Sequence, residues 1–232
     1  MTQAAQVVWF KRDLRINDHA PLFAASQAGT PIIPLYIIEP EYWQQPFASR
    51  RHWHYIHDCL VDLNEALTGL GQPLIIKVGA ACDVLLRLKF SHGSDTIWAH
   101  EETGNRWTYD RDIAVRSTCS KNDITIHELP TNGVVRRLKS RDTWSSIRNA
   151  RMAAHIVPKP VTLHPPPDCK SDRLPSKGDP MFGDVQIGRV QRGGRKAAVA
   201  DLASFLNYRS QAYLRHISAP NLSEVHCSRL ST

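Results

Sequence analysis

The densest run of groups able to do chemistry is Lys11-Arg12-Asp13-Leu14-Arg15, with Asn17-Asp18-His19 close behind. A lysine, two arginines and a carboxylate so close together can grip an anion or tie loops together by ion pairs. For Arg12, Asp13 and Arg15 the expectation is an ion-pair network joining the first strand to its neighbours, ahead of direct ligand contact. The run contains no glycine. The dinucleotide fingerprint G-x-G-x-x-G is therefore absent, and with it the close backbone approach to a pyrophosphate. Ordinary NAD binding is not what this segment is built for.

Other clusters are weaker. His52, His54 and His57 suggest metal ligation, but only His54 and His57 share a helical face and no third ligand accompanies them; an exposed helix face is expected. Glu101, Glu102 and Asn105 are expected to form a solvated loop and helix cap. Arg136, Arg137, Lys139 and Arg141 make a basic loop whose default is solvation, with phosphate contact as the alternative. The cysteines at 59, 82, 119, 169 and 227 are odd in number and lack a C-x-x-C spacing. This argues against a disulfide scaffold or zinc site and suits a reducing cytosol.

The elements that must position these groups alternate. Val7 to Phe10 reads as a buried strand leading into a helix that starts near Ala20, the first βα unit of a parallel sheet. Pro31 to Ile38 is apolar without strict alternation, as for a strand covered on both faces. Ser49 is placed to cap a helix running to about Leu70, in which Trp53, Ile56, Leu60, Leu63, Leu67 and Leu70 form one apolar stripe. Strands follow at Pro73–Val78, Asp95–Ala99 and Ile124–His127, separated by helices at Ala80–Phe90 and Asn105–Lys121. The fold class is α/β: a doubly wound, Rossmann-like five-stranded parallel sheet, followed by a linker and an incomplete all-helical segment. Residues 5–130 form the α/β domain. Residues 131–192 are a basic and proline-rich linker, draped on a surface or disordered, and 193–232 open a helical unit. In open sheets of this kind ligands sit beyond the carboxyl ends of the strands, which puts Lys11 to His19 on the working edge.

The 232 residues suffice for one good core and an appendage. An excess of 29 Lys+Arg over 22 Asp+Glu, net +7, favours polyanionic partners, nucleic acid first. No signal peptide and no membrane-spanning apolar run are visible, so a soluble, cytoplasmic protein is expected.

Taken together, Val8-Trp9-Phe10-Lys11-Arg12-Asp13-Leu14-Arg15, His100-Glu101-Glu102-Thr103-Gly104-Asn105 with Arg111-Asp112, and Phe205-Leu206-Asn207-Tyr208 onward to Cys227-Ser228-Arg229-Leu230-Ser231 resemble the DNA photolyase/cryptochrome family. The resemblance implies an α/β domain that often carries a light-harvesting antenna of folate or deazaflavin type, and a helical domain that holds FAD. In photolyases the excited reduced flavin passes an electron to a cyclobutane pyrimidine dimer flipped out of UV-damaged DNA, and recovers it after the ring splits; in cryptochromes the flavin serves signalling. Carried over by position, Tyr213 matches a tyrosine that contacts the flavin nucleotide. Cys227, Ser228, Arg229, Leu230 and Ser231 match a phosphate-holding segment, with Cys227 where the family usually has threonine, a weaker donor. No catalytic residue and no metal ligand is assigned.

In the family the chain continues well beyond Ser231. The sequence-level expectation is thus a truncated member, inactive in repair by itself. Two rivals stand beside it: a fragment of a light-signalling cryptochrome, and a stand-alone α/β module ending near Glu128 that binds a nucleotide-like or antenna ligand.

Overall fold

A computed structural model describes residues 4–131, 133–166, 168–183, 188, 190–216, 218–219 and 221–222. Strands β1 (Gln6–Phe10), β2 (Ile32–Ile38), β3 (Ile75–Val78), β4 (Thr96–His100) and β5 (Thr125–Leu129) alternate with helices α1 (Ala20–Ser26), α2 (Pro40–Trp43), α3 (Arg50–Thr68), α4 (Ala81–His92) and α5 (Arg106–Lys121). The five strands are all parallel, in the order β3-β2-β1-β4-β5. The expected α/β class and parallel sheet are present. After β5 come α6 (Trp144–Met152), α7 (Arg195–Asn207) and α8 (Tyr213–His216).

Each face of the sheet has its own core. Val8, Phe10, Tyr36 and Ile76 pack against Leu22 of α1 and the Trp53-Leu60-Leu63-Leu67 stripe of α3. Trp9, Leu35, Ile37 and Ile97 pack on the other face against Val84, Leu85 and Leu88 of α4 and Val115 of α5. Every residue of β2 is buried, which explains its unbroken apolar reading. Ser49 caps α3 by accepting the His52 N–H, as its placement predicts.

The proline-rich stretch is draped along the sheet edge rather than loose. β3 is an edge strand whose outward polar groups would otherwise be open to another chain. Ser171 Oγ accepts the Ile76 N–H at 2.9 Å, the Asp172 N–H reaches Ile76 O at 2.8 Å, and Asp172 Oδ2 accepts the Val78 N–H at 2.9 Å. Two apolar side chains from the same stretch, Leu163 and Phe182, are buried in the α3-side core. Phe182 stacks on Trp53 with centroids 3.9 Å apart and 8° between the planes.

Candidate functional site

The strand order reverses direction between β1 and β4, so the crevice beyond their carboxyl ends is where an open α/β sheet receives a ligand. Here the crevice is filled by the protein's own charges. Asp13, just past β1, accepts hydrogen bonds through one oxygen from His19 Nε2 at 2.8 Å and His100 Nδ1 at 2.5 Å, and through the other from the Lys11 N–H at 2.8 Å. All three side chains of this triad are buried. His19 also caps α1, its Nδ1 accepting the Leu22 N–H at 3.1 Å. That bond fixes the tautomer: with Nδ1 an acceptor, the proton sits on Nε2 and the ring is neutral.

Burial lowers the His19 pKa, outweighing the pull of Asp13 in the opposite direction. Burial alone would raise Asp13, but His19 and the hydrogen bonds from both histidines hold its carboxyl well below the usual range. Three potential metal ligands meet here. The contacts of 2.8 and 2.5 Å are those of hydrogen bonds to a shared carboxylate oxygen, and the second nitrogen of His19 is committed to its helix. The arrangement is a structural triad joining β1, α1 and β4.

Beside it lies a second network centred on Arg111 of α5. Its guanidinium contacts Glu39 at 2.8 Å, Glu102 at 3.1 Å and Asp112 at 2.9 Å. Asp112 is also bound by Lys11 Nζ at 2.8 Å. Lys11 and Arg111 each lie 4.8 Å from the Trp9 ring centroid, a double cation–π contact. Glu39 closes the β2 end by accepting the Ala81 N–H at the start of α4. Its pKa is raised by burial, against the counter-pull of Arg111. Gly104 allows the tight turn into α5: a Cβ there would lie 2.7 Å from Glu102 Oε1 and 2.8 Å from Thr108 Oγ1.

The expected ion-pair role holds for Asp13. Arg15 instead donates to the Asp18 carbonyl at 3.0 Å, and Arg12 makes no ion pair among the described residues. Asn105 caps α5 by accepting the Thr108 N–H at 3.0 Å, as expected. Glu102 departs from the expected solvated loop: it is 4% exposed, held by Arg111 and the Gly104 N–H. Among the described residues His52, His54 and His57 form no metal cluster, and no cysteine is in a disulfide. Sequence reading missed Glu39, His100 and Arg111 as site-builders. Their signal was position, each lying at a strand's carboxyl end or in the first turns of the next helix.

On the rim of the crevice Tyr42 makes edge contacts with the rings of Trp43, Phe47 and Trp107 at 5.3 to 5.4 Å. Of the flavin-contact positions carried over by resemblance, Tyr213 opens α8 and meets Phe205 edge-on at 5.6 Å. Cys227, Ser228, Arg229, Leu230 and Ser231 lie outside the described residues. The start of α7 is fastened to α3, with Asp62 accepting the Arg195 N–H at 2.9 Å and Lys196 pairing with Glu65 at 3.1 Å. A Cβ on Gly193 would strike the Tyr55 carbonyl, so glycine is what permits this approach. The described residues near Tyr213 do not enclose a flavin, whereas a small-molecule site buries most of its ligand.

Comparison with known proteins agrees with the geometry. Over 103 residues, 42% of this chain and 18% of the relative, the chain is 30% identical to the chloroplastic/mitochondrial cryptochrome DASH of Arabidopsis thaliana. It is 35% identical over 94 residues to the deoxyribodipyrimidine photo-lyase of Agrobacterium fabrum, 40% of this chain and 19% of that one. A cryptochrome DASH from Natronomonas pharaonis aligns at 24% identity over 86% of this chain and 46% of its own length. Among solved structures, a bacterial class III photolyase from Agrobacterium tumefaciens superposes with a TM-score of 0.77 at 24% identity, covering 100% of this chain and 50% of that one. An archaeal photolyase from Sulfolobus tokodaii, solved with two FAD molecules, gives 0.63 at 21% identity over 85% of this chain and 46% of that one. The chain thus spans about half the length, or less, of the relatives it matches. With the DNA photolyase family model matching residues 6–146, and with this sheet order and crevice, the chain belongs to the DNA photolyase family.

Proposed function

We propose that these 232 residues are the antenna-type α/β half, plus the opening of the flavin-binding helices, of a protein whose whole-length activity is blue-light-driven, FAD-dependent repair of pyrimidine dimers in UV-damaged DNA. The observation that carries the reading is the family match over β1 to the start of α6, joined to an α7–α8 segment fastened onto α3. FAD would be contacted by Tyr213 and by Cys227 to Ser231, and would supply the photochemistry; this chain's described part supplies one side of such a site. The 232 residues alone are expected to purify without stoichiometric flavin and without light-dependent repair. The check is flavin absorbance after purification, with repair of a dimer-containing oligonucleotide under blue light. Stoichiometric FAD together with repair would overturn the expectation.

A second reading, a cryptochrome-type photoreceptor, is favoured by the Natronomonas cryptochrome DASH, which aligns over most of this chain. Repair of dimers by a longer polypeptide containing this segment separates the two. For an antenna, the rim aromatics Tyr42 and Trp107 offer stacking surface. The Sulfolobus photolyase, whose second FAD is described as implying a novel light-harvesting cofactor, supports a screen of folates, deazaflavins and flavins. Thermal stabilisation by one of them, abolished in Trp107→Ala, is the expected sign.

A further inference from the structure

A cavity of about 530 Å³ opens between α4, β3 and residues 168–170 of the proline-rich stretch. That size falls within the roughly 300–1,000 Å³ of small-molecule sites. None of its lining residues belongs to the crevice networks around Asp13 and Arg111. Ser171 and Asp172 are pinned to β3 through Ile76 and Val78, and a space is left between the residues before them and the last turns of α4.

The floor of the cavity is apolar. Val84 and Leu88 of α4 are buried, and half-buried Cys169 packs against the same core. Phe90, which also lines the cavity, is 79% exposed, a large ring left in water beside the opening. The mouth is cationic: Lys77, Arg87 and Lys170 line it against a single carboxylate, Asp168. Lys77 is neutralised from outside, its Nζ lying 3.3 Å from Asp172. Arg87 and Lys170 are exposed and have no carboxylate within ion-pairing distance among the described residues. The Arg87 guanidinium lies over the turn from β3 into α4, where a Cβ on Gly79 would come 3.4 Å from its Nη2 at a φ of +145°. Glycine supplies that backbone angle and leaves the arginine its room.

These groups match three parts of one ligand. An arginine fork with a lysine suits a phosphate dianion. Val84, Leu88 and Phe90 suit a flat ring, and the Asp168 carboxylate accepts from a hydroxyl or an amine. Inorganic phosphate would leave the floor unused, and a simple aromatic or fatty acid would bring Asp168 no donor. We propose that this cavity binds a nucleoside monophosphate, or a small phosphate ester that likewise carries a ring and hydroxyl or amine donors. The proposal goes beyond the flavin reading and is independent of it, since the ligand is colourless and the test runs in the dark.

Binding of AMP to the full chain is measured by titration calorimetry, with inorganic phosphate and adenosine titrated separately. AMP is expected to bind more tightly than either part. R87A/K170A should weaken AMP binding by about tenfold or more, because charge-assisted hydrogen bonds are lost. R51A/K121A removes the same charge from exposed positions on α3 and α5 and should leave binding unchanged. Cys169 gives a second readout from within the cavity. Its alkylation by N-ethylmaleimide, followed by peptide mass spectrometry, should slow by about tenfold when AMP is at about ten times its Kd. Cys59, which accepts the Gly194 N–H between α3 and α7, should keep its rate. Absence of AMP binding, or phosphate or adenosine binding as tightly as AMP, would overturn the proposal. So would a loss no greater in R87A/K170A than in R51A/K121A, or unslowed alkylation of Cys169. Should R87A/K170A fail to fold, protection of Cys169 in the unmodified chain decides.

Discussion

At the scale of single residues, the carboxyl edge works because every buried charge there is matched. Arg111 is held by three carboxylates. Arg111→Ala would leave Glu39, Glu102 and Asp112 short of their counter-charge, and removing one partner of a buried pair costs about 3–5 kcal/mol. The loss should appear as a lower urea midpoint; a change within error would show that water enters and screens the site. His19 makes an acid-side prediction. Its pKa is lowered in the fold, so the stabilisation it gives is complete above its unfolded value of about 6.5 and is lost as pH falls through the folded one. Protonation would also force Nδ1 to release the Leu22 N–H. Asp13 acts with the same sign but only at still lower pH, and Glu39, raised by burial, acts in the opposite sense. Melting temperature should therefore decline between pH 7 and 5. His19→Asn, which removes the titrating ring, should flatten that decline; an unaltered profile would assign it to other groups, half-buried His57 first.

Among the elements, the proline-rich stretch matters most for the sheet. Its regular-structure content is low, yet it closes the β3 edge and supplies Phe182 to the core. Phe182→Ala removes a buried ring stacked on Trp53 and is expected to cost about 3–5 kcal/mol, measured by denaturant unfolding. S171A/D172A is milder for stability, since each lost bond is worth about 1 kcal/mol. It uncovers the Ile76 and Val78 N–H groups, so its clearer sign should be light scattering from edge-to-edge association.

For the molecule as a whole, the α/β core does not close at β5. Leu163 and Phe182 are each 2% exposed within it. A protein of residues 1–130 should accordingly be less stable than one of residues 1–183, with a lower urea midpoint. Equal midpoints would make the later stretch a passive wrapping. The asymmetry of charge belongs to this scale too: a nearly neutral remainder carries one strongly basic excursion between β5 and the proline-rich stretch.

The sequence by itself determined the sheet. Apolar runs of strand length, a helical stripe from Trp53 to Leu67 and caps at Ser49 and Asn105 are local patterns, and local patterns set element type. The motif around Lys11 to Arg15, taken with those at His100 to Asp112 and Phe205 to Ser231, was enough to suggest a family. What those charges do was decided by tertiary structure. Asp13 meets His100 across 87 positions and Lys11 meets Asp112 across 101, and no periodicity encodes such meetings. The opening run lies on the sheet's working edge and, as expected for Asp13, the charges of Lys11 and Asp13 are paired within the fold. The linker's part in the core was hidden for the same reason: Leu163 and Phe182 are isolated apolar residues without period, and only the packed sheet gives them a place.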